Sequence, residues 1–207
     1  MMVCRRVFCL LGPSLLAASL NATAQDSVSN SRPVKSAAVN VTPCSTGHKQ
    51  AEVDRLIIRA RKGDAGAQFW TGVAFEQGWC GKADLGKALH WYKLSAAPGD
   101  RDAQNSLGQM YEDGRGAKQG YALAAQWYRK DAEYVPDLGG AGQGRNNLGM
   151  LYLDGLGVPK DLVQAHMWFH LAGSKLNLSQ VRSRMTESQI LQAEQMAENW
   201  RRGHSAE

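Results

Sequence analysis

Residues 103–132 read AQNSLGQMYEDGRGAKQGYALAAQWYRKDA, and two helical patterns in this stretch flank a loop that contains glycine. Apolar residues recur at the spacing of an amphipathic helix on both sides, at Ala103, Leu107, Met110 and Tyr111 and then at Tyr121, Ala124, Ala125 and Tyr128. Gly114 and Gly116 lie between the patterns, where a chain that reverses direction needs positive φ. Helices this short are marginal in water, so the unit needs similar neighbours to bury its apolar faces.

Two further copies of this unit flank it, one beginning 36 residues upstream at Ala67 and one 41 residues downstream at Gly144. Glycines and aromatic pairs recur at the same steps of each copy: Gly72, Gly108 and Gly149; Gly78, Gly114 and Gly155; Trp91-Tyr92, Trp127-Tyr128 and Trp168-Phe169. A period of roughly 35–40 residues with paired helices is typical of a solenoid. The aromatic pairs are therefore predicted to pack between successive repeats rather than to form a carbohydrate platform.

These residues resemble the Sel1-like repeat family, whose helix pairs are similar to tetratricopeptide repeats. The third copy matches the family pattern best, at Leu148, Gly149, Tyr152, Gly155, Gly157, Val158, Asp161, Ala165, Trp168 and Ala172. The second copy has Gly120 in place of the loop aspartate, and the first has Thr71 for the leucine and Cys80 for the second loop glycine. The resemblance implies an all-α, right-handed α-solenoid of helix-turn-helix repeats, used mainly for contact between proteins.

The register of the copies divides the chain into segments. Three repeats are predicted, over residues 67–102, 103–143 and 144–174. The second includes a five-residue insertion in a glycine-rich loop, read as a tolerated surface insertion or as a partner contact. Residues 49–66 are predicted to form an N-terminal capping helix, a half repeat. Residues 175–207 are predicted as a C-terminal capping helix and tail, with Thr186 and Gln189 as its capping box.

The N-terminal residues have the pattern of a secretory signal peptide over 1–24. Arg5 and Arg6 precede an apolar run over 7–20, and small residues at 22–24 resemble a cleavage site. The run is shorter than the roughly 18–20 residues that a membrane span requires, so we expect cleavage near Ala24–Gln25 rather than a retained anchor. The expected protein is exported, to the periplasm of a Gram-negative bacterium, without stable membrane insertion. Residues 25–48, which include Cys44, have the composition of a disordered linker.

Two cysteines, Cys44 and Cys80, would remain after cleavage. An exported chain with two cysteines favours one disulfide, which would tie the linker to the first repeat and close 36 residues of chain. The loop-entropy model predicts that such a bridge would raise the free energy of unfolding by about 3–4 kcal/mol. Two free thiols or a metal site are the alternatives, and the only nearby histidine, His48, does not complete four ligands.

The charges and motifs exclude several classes of function. The 24 Lys and Arg residues are spread along the helices rather than gathered in a basic stripe with aromatic residues, so a nucleic-acid partner is not expected. The sequence has no H-E-x-x-H, no Walker A loop and no serine followed by lysine three residues later. His166 and His170 share a helix face, but they flank a core tryptophan at positions expected to be half-exposed, and no third ligand is evident. We therefore expect no catalytic residue, metal or cofactor.

What remains for function is the face of the first helices opposite the apolar stripe. A helical wheel places a mixed polar and apolar row there, from which we predict a partner-binding surface of Phe69, Trp70, Val73, Asn105, Gln109, Glu112, Asn146 and Met150. If these helices line the concave face, as in the family, a protein or peptide would bind there. The alternative for Phe69 and Trp70 is that they pack under the N-terminal cap.

The leading hypothesis is a non-enzymatic, exported and monomeric adaptor. One alternative is an envelope protein that binds or hydrolyses cell-wall components or β-lactams, as in the cysteine-rich branch of the Sel1-like family. That branch repeats a cysteine pair in each unit, and this chain has one possible pair in total. A further alternative is an accessory factor of an envelope or secretion assembly.

Overall fold

The computed structural model describes residues 47–79, 81–134 and 142–204, and over these ranges the chain forms nine α-helices and no strand. The helices are α1 Gly47–Arg61, α2 Ala65–Gln77, α3 Leu85–Ala96, α4 Arg101–Asp113, α5 Tyr121–Ala132, α6 Gly142–Asp154, α7 Leu162–Ala172, α8 Lys175–Arg182 and α9 Glu187–His204. The predicted all-α solenoid is confirmed. The predicted signal peptide, Cys44, Cys80 and residues 135–141 of the insertion lie outside the described residues.

The helices pack as successive antiparallel pairs, α2 with α3, α4 with α5 and α6 with α7. The second helix of each pair contacts the first helix of the next, and a continuous apolar core runs from α3 to α9. Helix α1 packs against α2 at one end, and α8 and α9 pack against α7 at the other. The boundary placed at 66/67 from the sequence falls in the first turn of α2, which begins at Ala65.

Each helix pair is held at close range by a glycine that faces an aromatic ring. A Cβ at Gly72 would lie 2.6 Å from the Tyr92 ring, and one at Gly149 would lie 2.7 Å from the Phe169 ring. Gly108 is closer still to its partner ring. Real Cβ atoms do not approach rings this closely, so only glycine lets the first helix pack on the buried aromatic residue of the second.

The turns between paired helices repeat a second device. Gly78, Gly114 and Gly155 end the first helices in the left-handed conformation, at φ of 65°, 70° and 76°, where glycine bears no Cβ penalty. Gly116 and Gly157 follow Gly114 and Gly155 by two residues. Gly116 lies against the backbone at the start of α3, and Gly157 lies against the backbone at the start of α5. Each loop is thereby seated on its neighbouring repeat.

A polar side chain joins each repeat to the helix before it. Nε2 of Gln68 donates to the Ala60 carbonyl at 3.1 Å, and Nε2 of Gln104 donates to the Ala96 carbonyl at 3.3 Å. The third repeat has Arg145 at this position, and its buried guanidinium donates to the carbonyl groups of the last turns of both α5 and α7. The guanidinium also lies 4.6 Å from the centroid of the Trp200 ring of α9. Arg145 therefore ties the last repeat to the C-terminal helices.

The N-terminus of α6 is capped by a neighbouring helix rather than by its own leading residue. Asp64 and Asp100 cap α2 and α4 by accepting backbone N–H groups, but residue 141 is alanine. Asp131, buried in α5, accepts a hydrogen bond from the backbone N–H of Gly144 and pairs with Arg101 at 2.8 Å. A Cβ at Gly144 would collide with the Asp131 carboxylate, which accounts for the glycine where the other repeats have alanine.

The C-terminal segment contains two helices where the sequence predicted one. The capping box begins α9 as predicted, since the Thr186 N–H donates to Gln189 Oε1 at 2.9 Å and the Gln189 N–H donates to Thr186 Oγ1 at 3.3 Å. Ile190, Ala193 and Ala197 are buried against the last repeat. The short α8 lies in the stretch where the repeat pattern stops, so periodicity gave no signal for it.

The glycine–aromatic contact gives a stability prediction. Gly108→Ala should lower the free energy of unfolding by about 1–3 kcal/mol, because the added methyl group overlaps the buried Tyr128 ring. Gly86→Ala is the control, because its Cβ would meet the nearest atom at 3.6 Å; it should change the same free energy by less than about 1 kcal/mol. Urea denaturation followed by circular dichroism measures both. Equal effects of the two substitutions would contradict the packing role of Gly108.

Candidate functional site

The first helices α2, α4 and α6 carry all eight residues predicted to bind a partner, and we call their exposed side the first-helix face. The structure divides the eight into three groups. Trp70 and Gln109 are exposed; Phe69, Val73, Glu112, Asn146 and Met150 are half-buried; Asn105 is buried. Only part of the predicted row is therefore available for contact without rearrangement.

An aromatic cluster lies at one end of this face, formed by Phe69 and Trp70 of α2 and by Trp79 in the turn that follows. The ring centroids of Phe69 and Trp70 are 5.3 Å apart, and those of Trp70 and Trp79 are 6.4 Å apart. The Phe69 ring also packs against the buried Tyr92 ring at 5.7 Å. Trp70 is 49% exposed and Phe69 is half-buried, so Trp70 presents its ring to solvent more than Phe69 does.

Three of the predicted residues contribute to the scaffold. Glu112 accepts a hydrogen bond from the Tyr128 hydroxyl at 2.6 Å, as Glu76 does from Tyr92 in the first repeat. Burial raises the pKa of both tyrosines far above the usual range, and the facing carboxylates add to the shift. Val73 and Met150 pack against the apolar core clusters.

Asn105 does not lie in an outward polar row, and the sequence-based placement was wrong in this respect. It is only 8% exposed. Its Nδ2 donates to Gln143 Oε1 at 3.2 Å, and its Oδ1 accepts from Asn147 Nδ2 at 3.0 Å. Both partners come from α6, about one repeat away, and they cover a side chain that an isolated helical wheel places at the surface.

Gln143 and Asn147 border a cleft of about 590 Å³ at the junction of α4, α6 and α8, which we call the amide cleft. Its lining residues are Gln109, Gly142, Gln143, Asn146, Asn147, Ala172, Ser174, Leu176 and Asn177. In the part of the chain that the structure describes, this lining contains neither a charged side chain nor an aromatic ring. Its volume lies in the range of ligand pockets, about 300–1,000 Å³.

Sequence reasoning missed much of this cleft. Gln143 falls in the stretch predicted as an inserted loop, and Asn177 falls in α8, beyond the last predicted repeat. A concentration of asparagine and glutamine near the third repeat was the available signal, but it became a cleft only once α8 folded against α7. Of the eight predicted residues, the structure brings Gln109 and Asn146 together there.

His166 on α7 is less exposed than the repeat pattern indicated, whereas His170 is half-buried, in line with the prediction. His166 is 0% exposed, because both α8 and α9 pack on α7. Its ring nitrogens make no hydrogen bond among the described residues, and its centroid lies 6.3 Å from that of His170. Burial lowers the pKa of both histidines, with Arg182 adding to the effect at His166 and Arg201 at His170. His166 is therefore better described as a buried, neutral residue that contributes to packing than as a metal ligand.

Two properties of the described residues bear on ligand classes. No cluster of three or more His, Cys, Asp or Glu side chains there could hold a metal ion. None of the helices described between residues 47 and 204 combines the length and apolarity needed to cross a membrane.

The repeat geometry agrees with a comparison against protein families. The Sel1 repeat model matches residues 65–100, 101–133 and 143–175, which correspond to α2–α3, α4–α5 and α6–α7. The chain belongs to the Sel1 repeat family. Sel1 repeat proteins commonly mediate protein–protein interaction, and their fold is typically a non-catalytic scaffold. No curated protein matches the chain.

Solved structures of Sel1-type proteins resemble this chain. One is a protective antigen present in uropathogenic Escherichia coli strains that displays an SLR fold; it is 36% identical, with a TM-score of 0.54 over 59% of this chain and 25% of that one. Another is a Sel1 repeat protein from Oxalobacter formigenes, 23% identical, with a TM-score of 0.58 over 69% of this chain and 58% of that one. The matched regions thus span a quarter and somewhat over half of these proteins, and the second likeness concerns the fold alone.

Proposed function

We propose that this Sel1 repeat protein is an exported, monomeric adaptor that binds a partner protein through the first-helix face. The observation that carries the proposal is the aromatic cluster, in which Trp70 holds about half of its surface in solvent beside two other aromatic residues. Leaving an indole exposed forgoes the free energy of its burial, and tryptophan is enriched among the residues that dominate binding energy at interfaces.

The chemistry of the face supports binding rather than catalysis. The amide cleft presents carboxamides, one hydroxyl and aliphatic groups, which are poor general acids, bases and nucleophiles in the absence of an activating neighbour. The two glutamates nearest the face, Glu76 and Glu112, are committed to tyrosine hydroxyl groups. Export is proposed from the pattern of residues 1–24. Roles in β-lactam binding or in an envelope assembly stay untested hypotheses.

The partner surface can be tested by capturing proteins from an envelope extract with the full exported chain. Trp70→Ala should reduce capture of a specific protein by about 30-fold or more, the effect expected of an interface hot spot. Leu191→Ala is the matched control, because Leu191 is also a large exposed apolar residue but lies on α9. Quantitative mass spectrometry reads out the captured protein. A partner retained equally by Trp70→Ala, or no protein specific to the wild type, would contradict the proposal.

We also propose the disulfide between Cys44 and Cys80, and the repeat register supports it. Gly116 and Gly157 lie against the first residues of the preceding second helices, Leu85 and Tyr121. Position 80 corresponds to Gly116 in the register of the first repeat, and position 49 corresponds to Leu85. Cys44 stands five residues before position 49, within reach of such a contact.

Thiol titration and peptide mapping of the exported, non-reduced protein test this pairing. We expect no free thiol and a single cross-linked peptide that contains both cysteines. Cys80→Ser should release one titratable thiol and lower the free energy of unfolding by up to about 3–4 kcal/mol. Two free thiols in the exported wild type would contradict the pairing.

A further inference from the structure

We propose that the amide cleft binds the main chain of an extended, uncharged segment of a partner protein. This inference rests on the proposed function and names the chemistry that one part of the first-helix face recognises. It stands on a different set of residues from the aromatic cluster, so the two can fail separately.

Carboxamide side chains in and beside the cleft form hydrogen bonds with one another. Asn147 donates to Asn105, which donates in turn to Gln143, so three side chains form one hydrogen-bonded chain. This chain leaves the Nε2 group of Gln143 as a donor at one end and Oδ1 of Asn147 as an acceptor at the other. Neither end atom has a partner among the described residues.

A second pair, between α6 and α8, repeats the pattern. Nδ2 of Asn177 donates to Oδ1 of Asn146 at 2.7 Å. The pair leaves Nδ2 of Asn146 as a donor and Oδ1 of Asn177 as an acceptor. The end groups of each set therefore include an N–H donor and a carbonyl acceptor, which complement the carbonyl and N–H groups of a peptide unit.

The arrangement is preorganised. Asn105 is buried, and Asn146, Asn147 and Asn177 are half-buried, so their hydrogen bonds hold them in place before a ligand arrives. A site of fixed side chains loses less conformational entropy on binding than one of mobile side chains. Gln109 on α4 is exposed and makes no hydrogen bond within the described ranges, so it adds an adaptable contact at the edge.

The composition of the lining selects among ligand classes. The described lining has no charged group to neutralise a phosphate or carboxylate, which disfavours nucleic acid and charged side chains. It has no aromatic ring on which a sugar could stack. Leu176 is 81% exposed at the edge and offers apolar contact to one ligand side chain. Main-chain polar groups with uncharged side chains fit this surface best.

The experiment uses a displayed library of random ten-residue peptides and the full exported chain. We expect selected peptides to be poor in charged residues and their affinity to change less than about threefold between low and high salt, since no ion pair forms. N-methylation of single amides in a selected peptide should weaken binding by about tenfold at one or two internal positions, where a main-chain donor is lost.

Substitutions in the protein complete the test. Gln109→Leu and Asn146→Leu should each weaken peptide binding by about three- to tenfold, and Gln126→Leu on α5 should not. Gln109 and Gln126 are both exposed and without hydrogen bonds in the described residues, so this pair reports on binding without disturbing the fold. Thermal melting checks that Asn146→Leu remains folded.

Three results would overturn the inference: no peptide enriched above background, binding that ignores N-methylation, or a glycan that binds through these amides on a parallel array. If Trp70→Ala abolishes partner capture but no peptide is selected, the adaptor role stands and the peptide-binding role of the cleft fails. If peptides bind as expected but Trp70→Ala has no effect on capture, the proposal that the aromatic cluster binds the partner protein fails instead.

Discussion

The contact between a helical glycine and the aromatic ring that faces it fixes the geometry of each helix pair. The ring is nearly inaccessible in all three repeats, and the facing backbone leaves no room for a Cβ. Because this distance is set inside each pair, the loop glycines and the linking polar side chains can seat one pair on the next in a constant register. The first helices α2, α4 and α6 then occupy equivalent positions in the three repeats, and their outward side chains differ from one repeat to the next.

The three repeats show how that variation is absorbed. Where the first two place a glutamate opposite a tyrosine hydroxyl, the third has Leu153 and Phe169, both buried, so the hydroxyl and its acceptor are replaced together. Asp131 and Gly144 differ from the other repeats as a pair in the same way, since the glycine accommodates the carboxylate. The third repeat is thus the most modified in its polar contacts. It is also the repeat that builds the amide cleft with α8.

The parts of the structure that the sequence predicted depend on local spacing. Glycines, alanines and aromatic pairs at fixed steps predict helix pairs because the contacts they make lie within one period of the repeat. The burial of Asn105 and His166 could not be predicted in this way. Asn105 is covered by side chains 38 and 42 residues away, and His166 is covered by two helices outside the repeat pattern. The cleft was missed for the same reason, because Asn177 joins it only through the packing of α8.

A double-mutant cycle between Gly108→Ala and Tyr128→Leu measures the central contact most directly. The four free energies of unfolding, from urea denaturation followed by circular dichroism and by tryptophan fluorescence, give the coupling between the two positions. If the glycine is required by the ring, the alanine substitution is costly beside Tyr128 and mild beside leucine, with a coupling of about 1–3 kcal/mol. Effects that add to within about 0.5 kcal/mol would show that the glycine and the ring act independently, and would contradict this account of the fold.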